Sequence, residues 1–288
     1  MESLPLALVT DSTCDIPQDL IEKHHITVIP HTIIWGDEQF RDRVELTPEE
    51  FYRRIAQGEK TIPTTAQATV SDYHGVFEGL KKQGAKEIIT FTVSSAMSGA
   101  FQSATNAASQ MDIPVHVVDS KGPTMSLGWQ VLAAARARDA GAGWDAISKL
   151  AASIRKNLVQ IVGMDTIEFL YHGGRIGLAK RLIGSALQIK PVVSINHESG
   201  LVEPDGSART YRNMVEMVYR RFGEKIIQEG KLHIAVMHGA ALEEAEKLAG
   251  RLREEFKPVE LIINMTGPVL GVNTGPKAVA ICGYPEME

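Results

Sequence analysis

Residues 87–108 read EIITFTVSSAMSGAFQSATNAA, and the change of character in the middle of this stretch decides the fold. Ile88 to Val93 is a β-branched and aromatic run that predicts a buried strand; from Ala100, the spacing of Phe101, Ala104 and Ala108 predicts a helical face. Between them stand Ser94, Ser95, Ser98 and Gly99. A strand that passes through small hydroxyl residues into a helix leaves free N–H groups and a positive dipole end, which suits an anion. Ser95 or Ser98 acting as a helix cap accounts equally well for the spacing alone.

Upstream, Leu4 to Val9 predicts a first strand ending in Thr10-Asp11-Ser12-Thr13, followed by a helix over 16–23 that Ser12 or Asp15 is placed to start. Ile26 to Trp35 is a second apolar run. Thr47-Pro48-Glu49-Glu50 has capping-box spacing, and Thr61 to Thr69, TIPTTAQAT, reads as a loop with adjacent hydroxyls at Thr64 and Thr65. Tyr73, Val76, Phe77 and Leu80 mark the next helix, Ile113 to Val118 a strand, and 125–139 and 145–156 two more helices. Strands alternating with amphipathic helices predict a parallel sheet covered on both sides.

From Val159 the rhythm changes. A strand over 159–164 leads to His172-Gly173-Gly174-Arg175-Ile176-Gly177, a turn requiring positive φ or close backbone approach, then to a helix reaching Ile189. Val192 to Ile195 and Leu201-Val202 predict an antiparallel hairpin. Helices over 211–227 and 242–256 flank a strand over 232–237, and the end of the chain reads as strand, glycine-rich turn and strand. The expectation is an α/β chain of two domains: residues 1–157, a three-layer α/β/α unit with a parallel sheet, and residues 158–288, an α/β unit with a mixed sheet.

At 288 residues and 44% apolar content the chain can fill a sizeable core. Its net charge of −5 gives no broad positive field for nucleic acid. Cys14 and Cys282 stand alone at opposite ends, so neither a disulfide framework nor zinc spacing is present. The first residues carry an acid where a signal peptide needs positive charge, and no run approaches a membrane span, which predicts a cytoplasmic protein. GxxxxGK[ST], GxGxxG after a strand, HExxH and GxSxG are all missing. What remains is a set of hydroxyl clusters, at Thr10-Ser12-Thr13, Thr64-Thr65 and Ser94-Ser95-Ser98, all predicted at carboxyl ends of strands. Several neutral donors at one sheet edge suit a carboxylate or phosphate.

The segments VTDSTCDIP at Val9, PTTAQAT at Pro63, VSSAMSGAFQSA at Val93, VDSKGPTMSLG at Val118, DTIEFLYHGGRIG at Asp165, LQIKPVV at Leu187, ARTYR at Ala208 and GPVLGVNTGP at Gly267 resemble, in order and spacing, the DegV family of bacterial proteins. The resemblance runs from Leu6 to about Ile281. It implies a non-catalytic lipid-binding protein, with no cofactor, that holds one long-chain fatty acid in a tunnel between its domains. It also implies a partner, since some members are the acyl-carrying subunit of bacterial fatty acid kinase, whose separate kinase subunit makes acyl phosphate. By the same resemblance Thr65 and Ser95, with Thr64 and Ser94 beside them, hold the carboxylate, and Arg209 lies near the head group or the kinase-facing surface.

Two motifs depart from the family pattern. The first loop usually reads TSQPS after a threonine, where this chain has Thr65-Ala66-Gln67-Ala68-Thr69; the last usually reads HTGPG, where Asn273 replaces the histidine and Lys277 the final glycine. Asn273 can hydrogen-bond a head group but carries no charge. Two other readings stand beside lipid binding: a hydrolase using Ser95 or Ser98 with His172 or His238, and a binder of another apolar carboxylate or of a protein partner.

Overall fold

The structure, a computed structural model, describes residues 5–59, 61–182 and 189–286. The first half holds β1 (Leu6–Asp11), α1 (Gln18–Lys23), β2 (Ile26–Ile29), β3 (Thr32–Trp35), β4 (Glu38–Arg41), α2 (Pro48–Ala56), β5 (Thr64–Ala66), α3 (Val70–Lys82), β6 (Glu87–Thr92), α4 (Ala100–Ala108), β7 (Val115–Asp119), α5 (Met125–Asp139) and α6 (Trp144–Asn157). The second holds β8 (Val159–Gly163), α7 (Glu168–His172), a 3-10 turn (Gly177–Leu182), β9 (Lys190–Asn196), β10 (Leu201–Ala208), α8 (Tyr211–Lys225), β11 (Lys231–His238), α9 (Leu242–Phe256), β12 (Glu260–Met265), α10 (Pro268–Thr274) and β13 (Val279–Glu286).

Four strands form a parallel sheet in the order β2-β1-β6-β7. Six form a mixed sheet, β10-β9-β8-β13-β11-β12, antiparallel except where β11 meets β12. Tyr73, Phe77 and Ala104 of α3 and α4 cover the outer face of the first sheet, and Met214, Phe222 and Leu248 of α8 and α9 that of the second. Between the two sheets lies α5. It serves both, which is why nearly every one of its side chains is buried and it has no polar stripe. Its core joins Leu8 and Phe91 of the first sheet to Met237 and Ala280 of the second. Trp129 Nε1 donates to the Cys282 carbonyl at 3.3 Å. At the far end of the helix Arg136 donates to both oxygens of Glu260, at 2.7 and 2.8 Å. Burial alone would raise the Glu260 carboxyl, but bonds from His233 and Arg136 outweigh it and hold the group down at about 2.

Four local expectations change. The apolar run 26–35 is two strands, because Pro30 breaks it and β3 turns away into a small antiparallel sheet, β4-β3-β5. Residues 64–66, read as loop, pair with that sheet, with Ile33 opposite Thr65 and Ile34 opposite Thr64. The glycine-rich turn near the end contains α10, with Pro268 in its first turn and Gly275 at φ +71 beyond its last. Trp35 and Phe51 from the first half pack on Val269 and Val272 of this helix. The helix expected to reach Ile189 begins as the 3-10 turn; residues 183–188, with Leu187 of the LQIKPVV motif, lie outside the described residues.

Candidate functional site

A cavity of about 980 Å³, its open mouth included, lies between the two sheets under α10. On β8 and β9 alternate side chains face it, Gln160 and Val162 on one and Val193 and Ile195 on the other. Val162 of β8, Val193 of β9, Val202 of β10 and Ala280 of β13 make an aliphatic floor, all of them buried. The exposed or half-exposed lining residues are mostly polar: Thr65, Gln67, Ser98, Arg175 and Asn273. The exposed end is rich in hydrogen-bonding groups and the floor is mostly aliphatic, the layout an amphiphile with a polar head requires.

Thr65 reaches the cavity because β5 alternates. Thr65 and Gln67 line it, whereas Thr64, one residue out of phase, is exposed and absent from the lining. Gly99 lets the Gln67 amide approach, since a Cβ there would stand 2.9 Å from Gln67 Nε2. Asn273 hangs from the last turn of α10; its Nδ2 donates to the Val269 carbonyl at 3.0 Å, and its buried Oδ1 has no partner among the described residues. The predicted close approach in the His172–Gly177 turn is made here: a Cβ on Gly173 would lie 2.1 Å from Asn273 Oδ1, while Gly174 and Gly177 take φ +70 and +52. Arg175 from the same turn donates to the carbonyls of Met97 and Gly173 at 3.3 and 2.8 Å and stays exposed.

Of the serines and Arg209, only Ser98 is among the lining residues. Ser94 is fully buried and donates to the Gly200 carbonyl of the β9–β10 turn at 2.8 Å; it joins the two halves and does not line the cavity. Gly200 has φ +77, and a Cβ there would meet Ser94 Oγ at 2.2 Å. Ser95 is exposed and donates to Asp119 Oδ2, its backbone N–H donates to Asp119 Oδ1 at 3.1 Å, and Lys121 Nζ stands 2.8 Å from Asp119 Oδ2 and 3.4 Å from Ser95 Oγ. It too is outside the lining. Ser98 does line the cavity, while its Oγ accepts from Ala100 N at 3.2 Å, ahead of α4. Arg209 is exposed just before the α8 cap at Thr210 and outside the lining. Neither His172 nor His238 is among the hydrogen-bond partners of Ser95 or Ser98, and His238 Nδ1 accepts from Ala241 N.

The first-strand cluster is largely taken up by structure, although Thr13 lines the cavity and the buried Thr10 hydroxyl has no hydrogen-bond partner among the described residues. Asp11 accepts from Thr13 N at 3.0 Å, from Thr13 Oγ1 at 2.5 Å and from Val93 N at 2.8 Å, tying the loops after β1 and β6 together. Ser12 Oγ accepts from His31 N, and Asp15 pairs with Arg43 rather than opening α1. Burial lowers the pKa of the His31 imidazole against the pull of Asp11, and its Nε2, at the cavity wall, meets no hydrogen-bond partner among the described residues. Gln67, His31, Arg175 and Gln160 are lining residues that sequence reasoning passed over. Arg175 carried a signal, a cation inside a turn bounded by glycines; the others carried none.

Among the described residues, no group of three or more His, Cys, Asp or Glu side chains is placed to hold a metal ion, and no helix is long and apolar enough to cross a membrane. Cys14 and Cys282 are both buried as free thiols. The profile of the DegV family, described as an uncharacterised protein family, matches residues 5–286. A DegV domain-containing protein of Clostridium acetobutylicum is 31% identical over 284 residues, 96% of this chain and 97% of that one. A DegV family protein of Thermus thermophilus described by its fatty acid binding superposes with a TM-score of 0.89 at 28% identity, over 98% of this chain and 100% of the other. DegV of Bacillus subtilis, described as a fatty acid binding protein, does so with a TM-score of 0.89 at 29% identity, over 99% and 100%.

Proposed function

The chain belongs to the DegV family, and from that premise we propose that it binds one long-chain fatty acid in the cavity between a first domain, residues 1–157, and a second, residues 158–288, without acting on it chemically. The observation that carries this reading is the polarity gradient of the cavity, from Gln67 and Arg175 at the mouth to Val162 and Ala280 within. Burying each methylene contributes about 0.8 kcal/mol, so a sixteen-carbon tail offers on the order of 10 kcal/mol before the costs of association. The tail supplies affinity and the polar end supplies direction. The fatty acids described for the Thermus thermophilus and Bacillus subtilis proteins support the ligand class.

In this proposal Thr65 is the first anchor of the carboxylate, with Ser98 and Gln67 as neighbouring donors and Arg175 as the nearby cation. Asn273 orients through its amide. Ser95 joins only by exchanging Asp119 for the ligand, with Lys121 left to balance Asp119; Ser94 and Thr64 act through the backbone they hold, and Arg209 belongs to the outer surface. The family resemblance adds that the exposed head group is offered to a separate kinase in the cytoplasm, which would receive it at the Gln67–Arg175 mouth.

Extraction of the purified protein into organic solvent, followed by mass spectrometry, should recover a stoichiometric long-chain acid. Recovery of no lipid, together with no thermal shift on adding sixteen- or eighteen-carbon acids, overturns the reading. Thr65→Ala should weaken binding about tenfold, the loss of one bond to a charged group, whereas Ser95→Ala should cost less than about threefold because its hydroxyl is already committed to Asp119. Equal losses in a titration of both variants would place Ser95 on the ligand. Addition of a fatty acid kinase subunit and ATP to the loaded protein should yield acyl phosphate; its failure with lipid bound limits the chain to carriage.

A further inference from the structure

Gln160 is a wall residue that does not suit a hydrocarbon tail. On β8, Ile161 packs outward with α8 and α9, while Gln160 and Val162 face the cavity. Gln160 is 1% exposed, yet it is an amide beside Val162, Ala280 and Ile195. It lies at the inner end. β8 and β13 pair with Gly163 opposite Val279 and Gln160 opposite Cys282, so Gln160 is displaced about 10 Å along the sheet, at roughly 3.3 Å per residue, from Val279, the strand start that follows α10.

The amide is held by a built network. One of its polar atoms bonds Ser126 Oγ, which stands 2.7 Å from His197 Nε2 and 3.6 Å from Cys282 Sγ. Gly122 makes room, since a Cβ there would lie 2.5 Å from Ser126 Cβ and 3.3 Å from His197 Cδ2. The other amide atom is buried with no partner among the described residues. Burial pulls the His197 imidazole down to about 4, so the ring is neutral and carries a single proton. If that proton is on Nε2, His197 donates to Ser126, Ser126 donates to the Gln160 carbonyl, and the NH₂ group is left over. If it is on Nδ1, Ser126 donates to His197 and accepts from the NH₂ group, and the Gln160 carbonyl is left over. Either way one polar amide atom is left over, and an alcohol, which both donates and accepts, completes both arrangements.

Resting on the fatty-acid reading above, we infer that the inner end of the cavity is a subsite for a hydroxyl group on the acyl chain, with Gln160 as its partner and Ser126 and His197 as positioning residues. The ligand class it selects is the long-chain hydroxy acid, hydroxylated in the middle or at the end of the chain.

The test is displacement of a fluorescent fatty acid by stearic acid and by hydroxystearic acids with the hydroxyl beside the carboxylate, at mid-chain or on the terminal carbon. The proteins are the wild type, Gln160→Leu and the near-isosteric Gln160→Met. The wild type should bind a mid-chain or terminal hydroxy acid at least as tightly as stearic acid. Either variant should shift that ratio about tenfold towards stearic acid, while leaving the ratio for the acid hydroxylated beside the carboxylate unmoved. A ratio unchanged at every hydroxyl position overturns the subsite while stearic acid binding upholds the tunnel. Failure of all the acids to bind the wild type overturns both.

Discussion

Replacing Ala280 by tryptophan is expected to lower the affinity for a sixteen-carbon acid by about a hundredfold or more while leaving the protein folded. Ala280 lies on the cavity face of β13, buried in the aliphatic floor beside Val162 of β8. An indole there takes the space of roughly four methylenes at about 0.8 kcal/mol each, near 3 kcal/mol, and each 1.4 kcal/mol is a factor of ten. The indole grows into open space rather than into close-packed neighbours, so the usual cost of overpacking is small, and the melting temperature without ligand should change little. A ten-carbon acid, with less tail to displace, should lose much less. Titration of both acids checks the prediction; unchanged affinity for the longer one would mean that the ligand lies elsewhere.

Arg43→Met is expected to destabilise the fold by about 3–5 kcal/mol at pH 8, the cost of leaving a buried carboxylate without its partner. Asp15 is fully buried, pairs with the Arg43 guanidinium and accepts from Gly267 N at 2.9 Å, and its backbone carbonyl accepts from Asn264 Nδ2 at 2.9 Å. This knot fastens the turn after β1 to the start of α10, and so holds one wall of the cavity over the other. Burial already raises the Asp15 pKa, with Arg43 and Gly267 opposing the rise, and nearby Asp42 is raised to about 7 by burial. Without Arg43 the fold keeps protons that the unfolded chain releases above about pH 4. The unfolded state then binds fewer protons than the native one, so stability falls as pH rises and the deficit shrinks as pH is lowered from 8 towards 4. Urea denaturation across that range checks the sign, and Asp15→Asn with Arg43→Met should remove most of the Asp15 part of the pH dependence. A deficit that does not vary with pH would mean that packing, not charge, is what Arg43 supplies.

Elements whose signal is local were legible in the chain. The helix over 70–82 and the strand–serine–helix passage at 87–108 sit where periodicity put them, and the hairpin around 192–202 pairs as expected. What α5 does was not legible. A helix buried on all sides has no stripe to read, and only the second sheet behind it explains its composition. The pairing of 64–66 was equally hidden, because three residues carry too little alternation and their partner lies some thirty positions earlier.

The hydroxyl clusters show the same division at finer grain. Hydroxyl clustering marked Thr65, Ser94 and Ser95 as worth attention, and the family resemblance added Asn273, but a hydroxyl's use depends on which acceptor is nearest, and those acceptors are distant in sequence. Asp119 takes Ser95, the Gly200 carbonyl takes Ser94, and Thr65 alone of the three hydroxyls lines the cavity. The sequence by itself determined the class of fold, the family and the order of strands and helices, since backbone preference and side-chain period act over a few residues. Only the tertiary structure decided which polar groups were left over for a ligand, because that is settled after every nearer donor and acceptor has been paired across the two halves of the chain.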